Sequence, residues 1–347
     1  MRRICFLGLA TIACLVADAA AAQDAAPGLH EAVTFSNYPP LARNSQLLAR
    51  VFTPLTLAGI KRDFARTGKS ISETSVDLAA EKFLVYVPAT RPPQGYRLMV
   101  FVPPWQKAQL PQGWGPVLDQ FGMIFVTAAR SGNQDDIISR REPLALIAAQ
   151  NVMAQYPVDP AQVFVGGMSG GARMALRLAL AYPDLFRGAL LNSGSDVIGT
   201  ITEPLPPTPL FRQFQTGTRL LYVTGDHDAA NVESEMRSKR AMQDWCISDM
   251  ASIRMPFAGH DVAPPAVLTR ALQALVRQDR PDPDRMASCR AGIETEVANE
   301  LVKADALIAS GNRADAQKAV KDIDAKYGGL AAPHSVELDT ILTRIQP

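Results

Sequence analysis

The sequence predicts an α/β protein in which a mostly parallel central sheet is flanked by helices and followed by a C-terminal helical hairpin. Three observations carry that expectation. Short β-branched runs alternate with helical patterns from residue 83 to residue 277, most of the runs end at Gly or Pro, and beyond residue 285 the chain becomes Ala-rich and charged at helical spacing. Composition sets the class: of 347 residues, 47% are hydrophobic and 20% charged, too charged for a multi-spanning membrane protein and too apolar for a disordered chain. With 35 Lys and Arg against 34 Asp and Glu there is no cationic surplus to bind phosphates, which argues against a nucleic-acid partner.

Residues 1–22 read as a secretory signal peptide. Arg2 and Arg3 form the basic region, the run from Ile4 to Val16 the apolar region, and Ala20-Ala21-Ala22 the small-residue cleavage site before Gln23. The apolar run is too short to span a bilayer well, so no integral membrane span is expected. A twin-Arg signal and a lipoprotein box at Thr11-Ile12-Ala13-Cys14 are the competing readings. Removal of the leader, with its two Arg and one Asp, leaves 33 basic and 33 acidic residues, a neutral protein in the periplasm or the medium. Cys5 and Cys14 depart with it, and the remaining pair, Cys246 and Cys289, is expected to form a disulfide in an oxidising compartment; two buried free thiols are the alternative.

The elements follow in order. Residues 23–45 read as a flexible lead-in and 46–66 as one or two short helices stopped by Gly68, so that 23–75 is a partly helical extension. A catalytic domain is placed at 76–279. Its strands are the runs at 83–87, 98–102, 123–127, 163–165, 189–191, 220–223 and 253–255, the first two near enough to pair antiparallel at an edge. Helical segments at 142–155, 171–181 and 264–277 turn the later runs into βα units. The stretch Arg280-Pro281-Asp282-Pro283-Asp284 reads as a linker. Beyond it, 291–310 and 313–327 form the hairpin of a 285–347 module, joined by Gly311-Asn312 and stopped by Gly328-Gly329. The hairpin resembles half of a tetratricopeptide unit; it reads as a helical tail packed on the domain, with contact to a partner as the alternative.

The chemistry centres on Val163-Phe164-Val165-Gly166-Gly167-Met168-Ser169-Gly170-Gly171, a Gly-x-Ser-x-Gly between an apolar strand and a helix. That context is the one a nucleophile elbow requires: a sharp turn presents Ser169 at the strand end, and the helix that follows offers backbone N–H groups to developing negative charge. A serine hydroxyl is a weak nucleophile, so it needs an imidazole to take its proton and a carboxylate to orient the imidazole. Two later strands run into Thr224-Gly225-Asp226-His227-Asp228 and into Pro256-Phe257-Ala258-Gly259-His260, in the order Ser, acid, His.

With these motifs the sequence resembles the α/β-hydrolase superfamily, and within it the secreted serine esterases grouped with polyhydroxybutyrate depolymerases and feruloyl or acetylxylan esterases. The resemblance spans about 81–278 and includes Ala181-Tyr182-Pro183-Asp184-Leu185-Phe186-Arg187-Gly188. It implies acyl transfer to water, with Asp228 as the acid, Asp226 as its competitor, and His260 as the base. The substrate would be a small or polymeric ester and no cofactor is implied. One departure stands out. Where the family carries His-Gly, this chain has Val102-Pro103-Pro104-Trp105-Gln106, and proline has no N–H. The oxyanion donors are then expected to be the N–H groups of Gly170 and Trp105.

Other residues draw weaker expectations. Trp105 and Trp114 could wall an acyl or aryl group, or pack in the core, and Asn133 in Arg130-Ser131-Gly132-Asn133 could line the pocket or belong to an ordinary turn. Arg140-Arg141 reads as a solvated face. Four His with no His-Glu-x-x-His and no clustered Cys argue against a metal site. A catalytically silent fold used for binding, a peptidase and an acyltransferase remain alternatives to the esterase.

Overall fold

In the computed structural model, which describes residues 26–277 and 283–344, the chain begins with β1 (Gly28–Val33), α1 (Asn44–Val51) and α2 (Pro54–Thr67). Thr53 caps α2 by accepting the N–H of Thr56, Pro54 occupies the first turn where its missing N–H costs nothing, and Gly68 ends the helix. An alternating series follows: β2 (Phe83–Val87), β3 (Tyr96–Val102), α3 (Trp114–Phe121), β4 (Met123–Ala128), α4 (Glu142–Gln155), β5 (Val158–Met168), α5 (Gly170–Ala181) and β6 (Gly188–Asn192). It continues through α6 (Thr208–Gly217), β7 (Arg219–Gly225), α7 (Ala229–Asp244), β8 (Met250–Met255) and α8 (Pro265–Leu275). The leader expected at 1–22, with Cys5 and Cys14, lies outside the described residues, as does 280–282 of the expected linker.

All eight strands join one sheet in the order β1-β2-β4-β3-β5-β6-β7-β8. β2 runs antiparallel to both β1 and β4, and every other neighbouring pair is parallel. This is the mostly parallel central sheet flanked by helices that the sequence leads one to expect. Side-chain alternation divides the sheet into two faces. Val100, Val126, Val165, Leu191 and Tyr222 turn to the side of α4 and α5, while Met99, Phe125, Phe164, Leu190 and Leu221 turn to the side of α3 and α8. Burial on both faces is why the parallel strands read as nearly unbroken apolar runs.

Two expectations differ from the structure. β2 and β3 do not pair; β2 lies between β1 and β4, and β3 between β4 and β5. The supposed lead-in contributes β1, which pairs Leu29 with Tyr86 and His30 with Val85. Its signal is faint because an edge strand is held by backbone bonds and leaves its side chains half exposed.

After the sheet come α9 (Pro283–Ala309), α10 (Arg313–Tyr327) and α11 (His334–Arg344). The expected hairpin is α9 with α10, and α11 is an addition to it. Leu301, Ala304, Val320, Ile323, Leu338 and Leu342 join the same buried cluster as α4 and α5. Tyr327 meets Trp245 edge-on at 6.1 Å, and the carboxylate of Asp324 accepts the N–H of Leu55 at the first turn of α2 (3.0 Å). Cys246, just past α7, is bonded to Cys289 on α9, 43 residues later. Closing a loop of that length is worth about 4 kcal/mol in chain entropy. Cys246→Ser with Cys289→Ser is therefore expected to lower the melting temperature by about 6 °C, as thermal unfolding followed by circular dichroism would register.

An ion cluster fastens α5 to its surroundings. Arg177 binds Glu142, fully buried at the start of α4, together with Glu203 (3.2 Å) and the carbonyls of Thr202 and Val51. Burial raises both carboxyls against the opposing pull of Arg177, Glu203 to about 7, and one oxygen of each has no hydrogen-bond partner among the described residues. A carboxyl that keeps its proton in the folded state, where the unfolded chain releases it near 4.5, stabilises the fold fully below that value and loses the contribution as pH rises through about 7. Stability is therefore expected to fall by about 3 kcal/mol across this window. Glu203→Gln should flatten the slope, and melting curves collected between about pH 4.5 and pH 8 check it.

Candidate active site

β5 ends at Met168, α5 begins at Gly170, and Ser169 between them has φ 57° and ψ −124°. That conformation is costly for any residue with a side chain, and it persists here because the backbone on both sides is locked. Ser169 donates its N–H to Asn192 O (2.8 Å) and accepts that of Ala172 (3.0 Å). The flanking glycines are required by contact: a Cβ on Gly167 would lie 2.1 Å from Gly171 O, and one on Gly171 would lie 2.0 Å from Val102 O. The serine thus stands half-buried at the C-terminal edge of the sheet, where the first N–H groups of α5 lack intrahelical partners.

The loops after β7 and β8 meet at the same edge. They touch at Gly225, where a Cβ would lie 2.1 Å from Gly259 O. His260 Nδ1 lies 2.7 Å from Asp228 Oδ2, and Asn231, in the first turn of α7, donates from Nδ2 to both oxygens of that carboxylate (3.0 and 2.8 Å). Burial pushes the Asp228 carboxyl up, but the hydrogen bonds from His260 and Asn231 outweigh it and hold the group below its usual range. The Asp228 side chain is 9% exposed and that of His260 45%, so the base remains open to a substrate. Asp226 is instead 3.8 Å from His227 Nε2, on the solvent side.

Asn192, fully buried at the end of β6, joins the serine turn to the histidine loop. Its carbonyl receives Ser169 N–H, its Nδ2 donates to Asp261 O (3.0 Å) and Val223 O (3.2 Å), and its Oδ1 accepts Ala263 N–H (2.8 Å). Sequence reasoning did not single out Asn192 or Asn231. An Asn three residues after an acid at a helix start was the available signal for Asn231, whereas Asn192 had none.

On the other side of Ser169, the loop after β3 is bonded to the loop after β4. Asn133 donates its N–H to Pro104 O (3.1 Å) and Arg130 to Gln106 O (2.7 Å), which brings Trp105 beside Gly132. The Asn133 amide lies directly against Gly170: a Cβ there would be 2.3 Å from Oδ1. Arg140 and Arg141 are not a solvated face. Arg140 forms a two-pronged pair with Glu81 (3.0 and 2.6 Å), and Arg141, 4% exposed, donates to Ser131 O (3.1 Å) and Pro103 O (3.2 Å) and faces Asn133 Oδ1 (3.4 Å). Both side chains leave the helical turn Ile137–Arg141 that leads into α4 and point inward because loops fold over them, and burial lowers the basicity of Arg141 accordingly.

The two tryptophans part company. Trp114 is 1% exposed, packs edge-on against Phe101 and Phe125, and donates its indole N–H to Ala263 O (2.9 Å), so it supports the histidine loop from the core. Trp105 is half-buried, and its indole N–H has no partner among the described residues. Both face a cavity of about 590 Å³ whose other walls include Gln112, Val262, Ala263 and Pro265, and none of the described residues lining it is charged. Among the described residues no cluster of His, Cys, Asp and Glu could hold a metal ion.

The chain matches no protein-family model. It is similar to an acetylxylan esterase of Coprinopsis cinerea, 37% identical over 73 residues, which are 20% of this chain and 18% of the relative. It is also similar to a poly(3-hydroxybutyrate) depolymerase of Ralstonia pickettii, 30% identical over 110 residues, 28% of this chain and 22% of that one. The chain thus spans about a fifth of the length of the curated relatives it matches. Among solved structures it aligns with a thermophilic esterase of Thermogutta terrifontis at 20% identity and a TM-score of 0.42, over 58% of this chain and 86% of the other.

Proposed function

We propose that this α/β-hydrolase-fold chain is a carboxylic-ester hydrolase that works through Ser169, His260 and Asp228 and a Ser169 acyl-enzyme. The observation that carries the reading is the 2.7 Å contact between His260 Nδ1 and Asp228 at the same sheet edge as a serine on a strained turn. In this mechanism Ser169 Oγ forms a bond to the ester carbonyl carbon while its proton passes to His260 Nε2, and the carbonyl π pair becomes an alkoxide beside the N–H of Gly170. Asp228 holds the Nδ1 proton and stabilises the imidazolium. Collapse restores the carbonyl and expels the alcohol oxygen, which takes the proton from His260. Water then attacks the acyl-enzyme by the same path and releases the acid and Ser169.

The uncharged cavity beside Trp105 suits a neutral substrate group rather than an ionised one. Export to an oxidising compartment belongs to the same proposal; its support is the Cys246–Cys289 bond. The test is labelling of the purified protein by a fluorophosphonate, together with turnover of short-chain aryl esters. A folded protein that neither labels nor turns over any such ester would sink the reading.

A further inference from the structure

Acyl transfer normally uses two donors for the oxyanion, and the loop after β3 is poor in them: Pro103 and Pro104 carry no N–H, which leaves the backbone N–H of Trp105, the donor the sequence leads one to expect there. The structure brings another polar group to this place. The side chain of Asn133 lies against Gly170, the residue next to the nucleophile, close enough that a Cβ on Gly170 would sit 2.3 Å from Oδ1 and 3.1 Å from Nδ2. Asn133 is exposed to solvent there, yet its backbone is fixed through the bond to Pro104 O.

The orientation of the amide is set from behind. The Arg141 guanidinium is buried, has only donors to offer, and presents Nη2 to Asn133 Oδ1 at 3.4 Å. The guanidinium binds the amide oxygen, so the NH2, 3.1 Å from that same Gly170 Cβ position, is the part of the amide left to donate. The same Nη2 also bonds Pro103 O, and Nε bonds Ser131 O, so one cation ties the two loops that flank Gly170 and places a positive charge beneath them.

We infer that the side-chain amide of Asn133, oriented by Arg141, donates a hydrogen bond to the oxyanion alongside the N–H of Gly170. The inference rests on the esterase reading and deepens it. Asn133 makes no bond and breaks none; it receives the negative charge that appears on the carbonyl oxygen when Ser169 adds, and gives it up when the carbonyl reforms. Arg141 acts through Asn133 and is a positioning residue.

The test is steady-state hydrolysis of an aryl acetate by Asn133→Ala, Asn133→Asp, Arg141→Lys and the double variant Asn133→Ala with Arg141→Lys, with melting curves for each. Asn133→Ala is expected to lower kcat by about 10²–10³-fold at nearly constant KM, and Asn133→Asp to lower it further by setting a carboxylate against the oxyanion. Arg141→Lys should lower kcat in the wild-type background and have little further effect once Asn133 is Ala, which a merely structural role would not produce. Wild-type kcat in Asn133→Ala, or a raised KM with kcat unchanged, overturns the inference while leaving the esterase reading intact. A wild type without esterase activity or labelling overturns both.

Discussion

Ser169→Ala is expected to lower ester turnover by about 10⁶-fold and to abolish labelling by a fluorophosphonate, and His260→Ala to match it in turnover. The two effects should coincide because they interrupt one event: the serine is nucleophilic only while its proton has somewhere to go. Neither change endangers the fold. Ser169 keeps its turn through backbone bonds to Asn192 and Ala172, which alanine retains, and the His260 side chain is nearly half exposed. The informative comparison is therefore between the two variants. Labelling that survives His260→Ala at the wild-type rate would mean that the serine is reactive without its base, and the triad would be wrong even if the protein hydrolyses esters.

The second large effect separates two carboxylates that stand two residues apart. Asp228→Asn is expected to lower kcat on the order of 10⁴-fold, because the amide favours the wrong imidazole tautomer and no longer offsets the imidazolium charge. Asp226→Asn should stay within about twofold, its carboxylate being at the surface and screened. The geometry behind the difference is direct, since Asp228 lies 2.7 Å from His260 Nδ1 and Asp226 faces only His227. Asn231 sharpens the prediction. It already donates to both Asp228 oxygens, so an amide at 228 would turn one of its own N–H bonds toward a donor. Steady-state rates for the two variants decide the assignment, and a larger loss at 226 would reverse it.

What could be read in the amino-acid order was whatever is written locally. The strand–Gly–Ser–Gly–helix succession around Ser169 is a contiguous signal, and so are the two strand–Gly loops that carry Asp228 and His260. The choice between Asp226 and Asp228 rested on family pattern rather than on the residues themselves, because it depends on where a loop 32 residues away comes to rest. Pairing of β2 with β4 rather than β3 is non-local in the same sense. The buried polar residues were the least legible. Arg141 reads as a surface residue until the carbonyls of Pro103 and Ser131 are seen to close over it, and Asn192 is placed by backbone partners from three separate loops. Such residues are chosen by the fold they complete, and hydropathy patterns do not register that.

The bond from Asp324 to the start of α2 also has a consequence for timing. Those two sites are 269 residues apart, and the pair between Arg62 and Asp339 spans 277. At about 5–20 residues per second, α2 waits on the order of 10–50 s after its own synthesis before the helices that fasten it exist. During that interval α2 lacks the two helices, α10 and α11, that pack against it in the finished fold, and the side it will turn to them calls for protection against aggregation on the way.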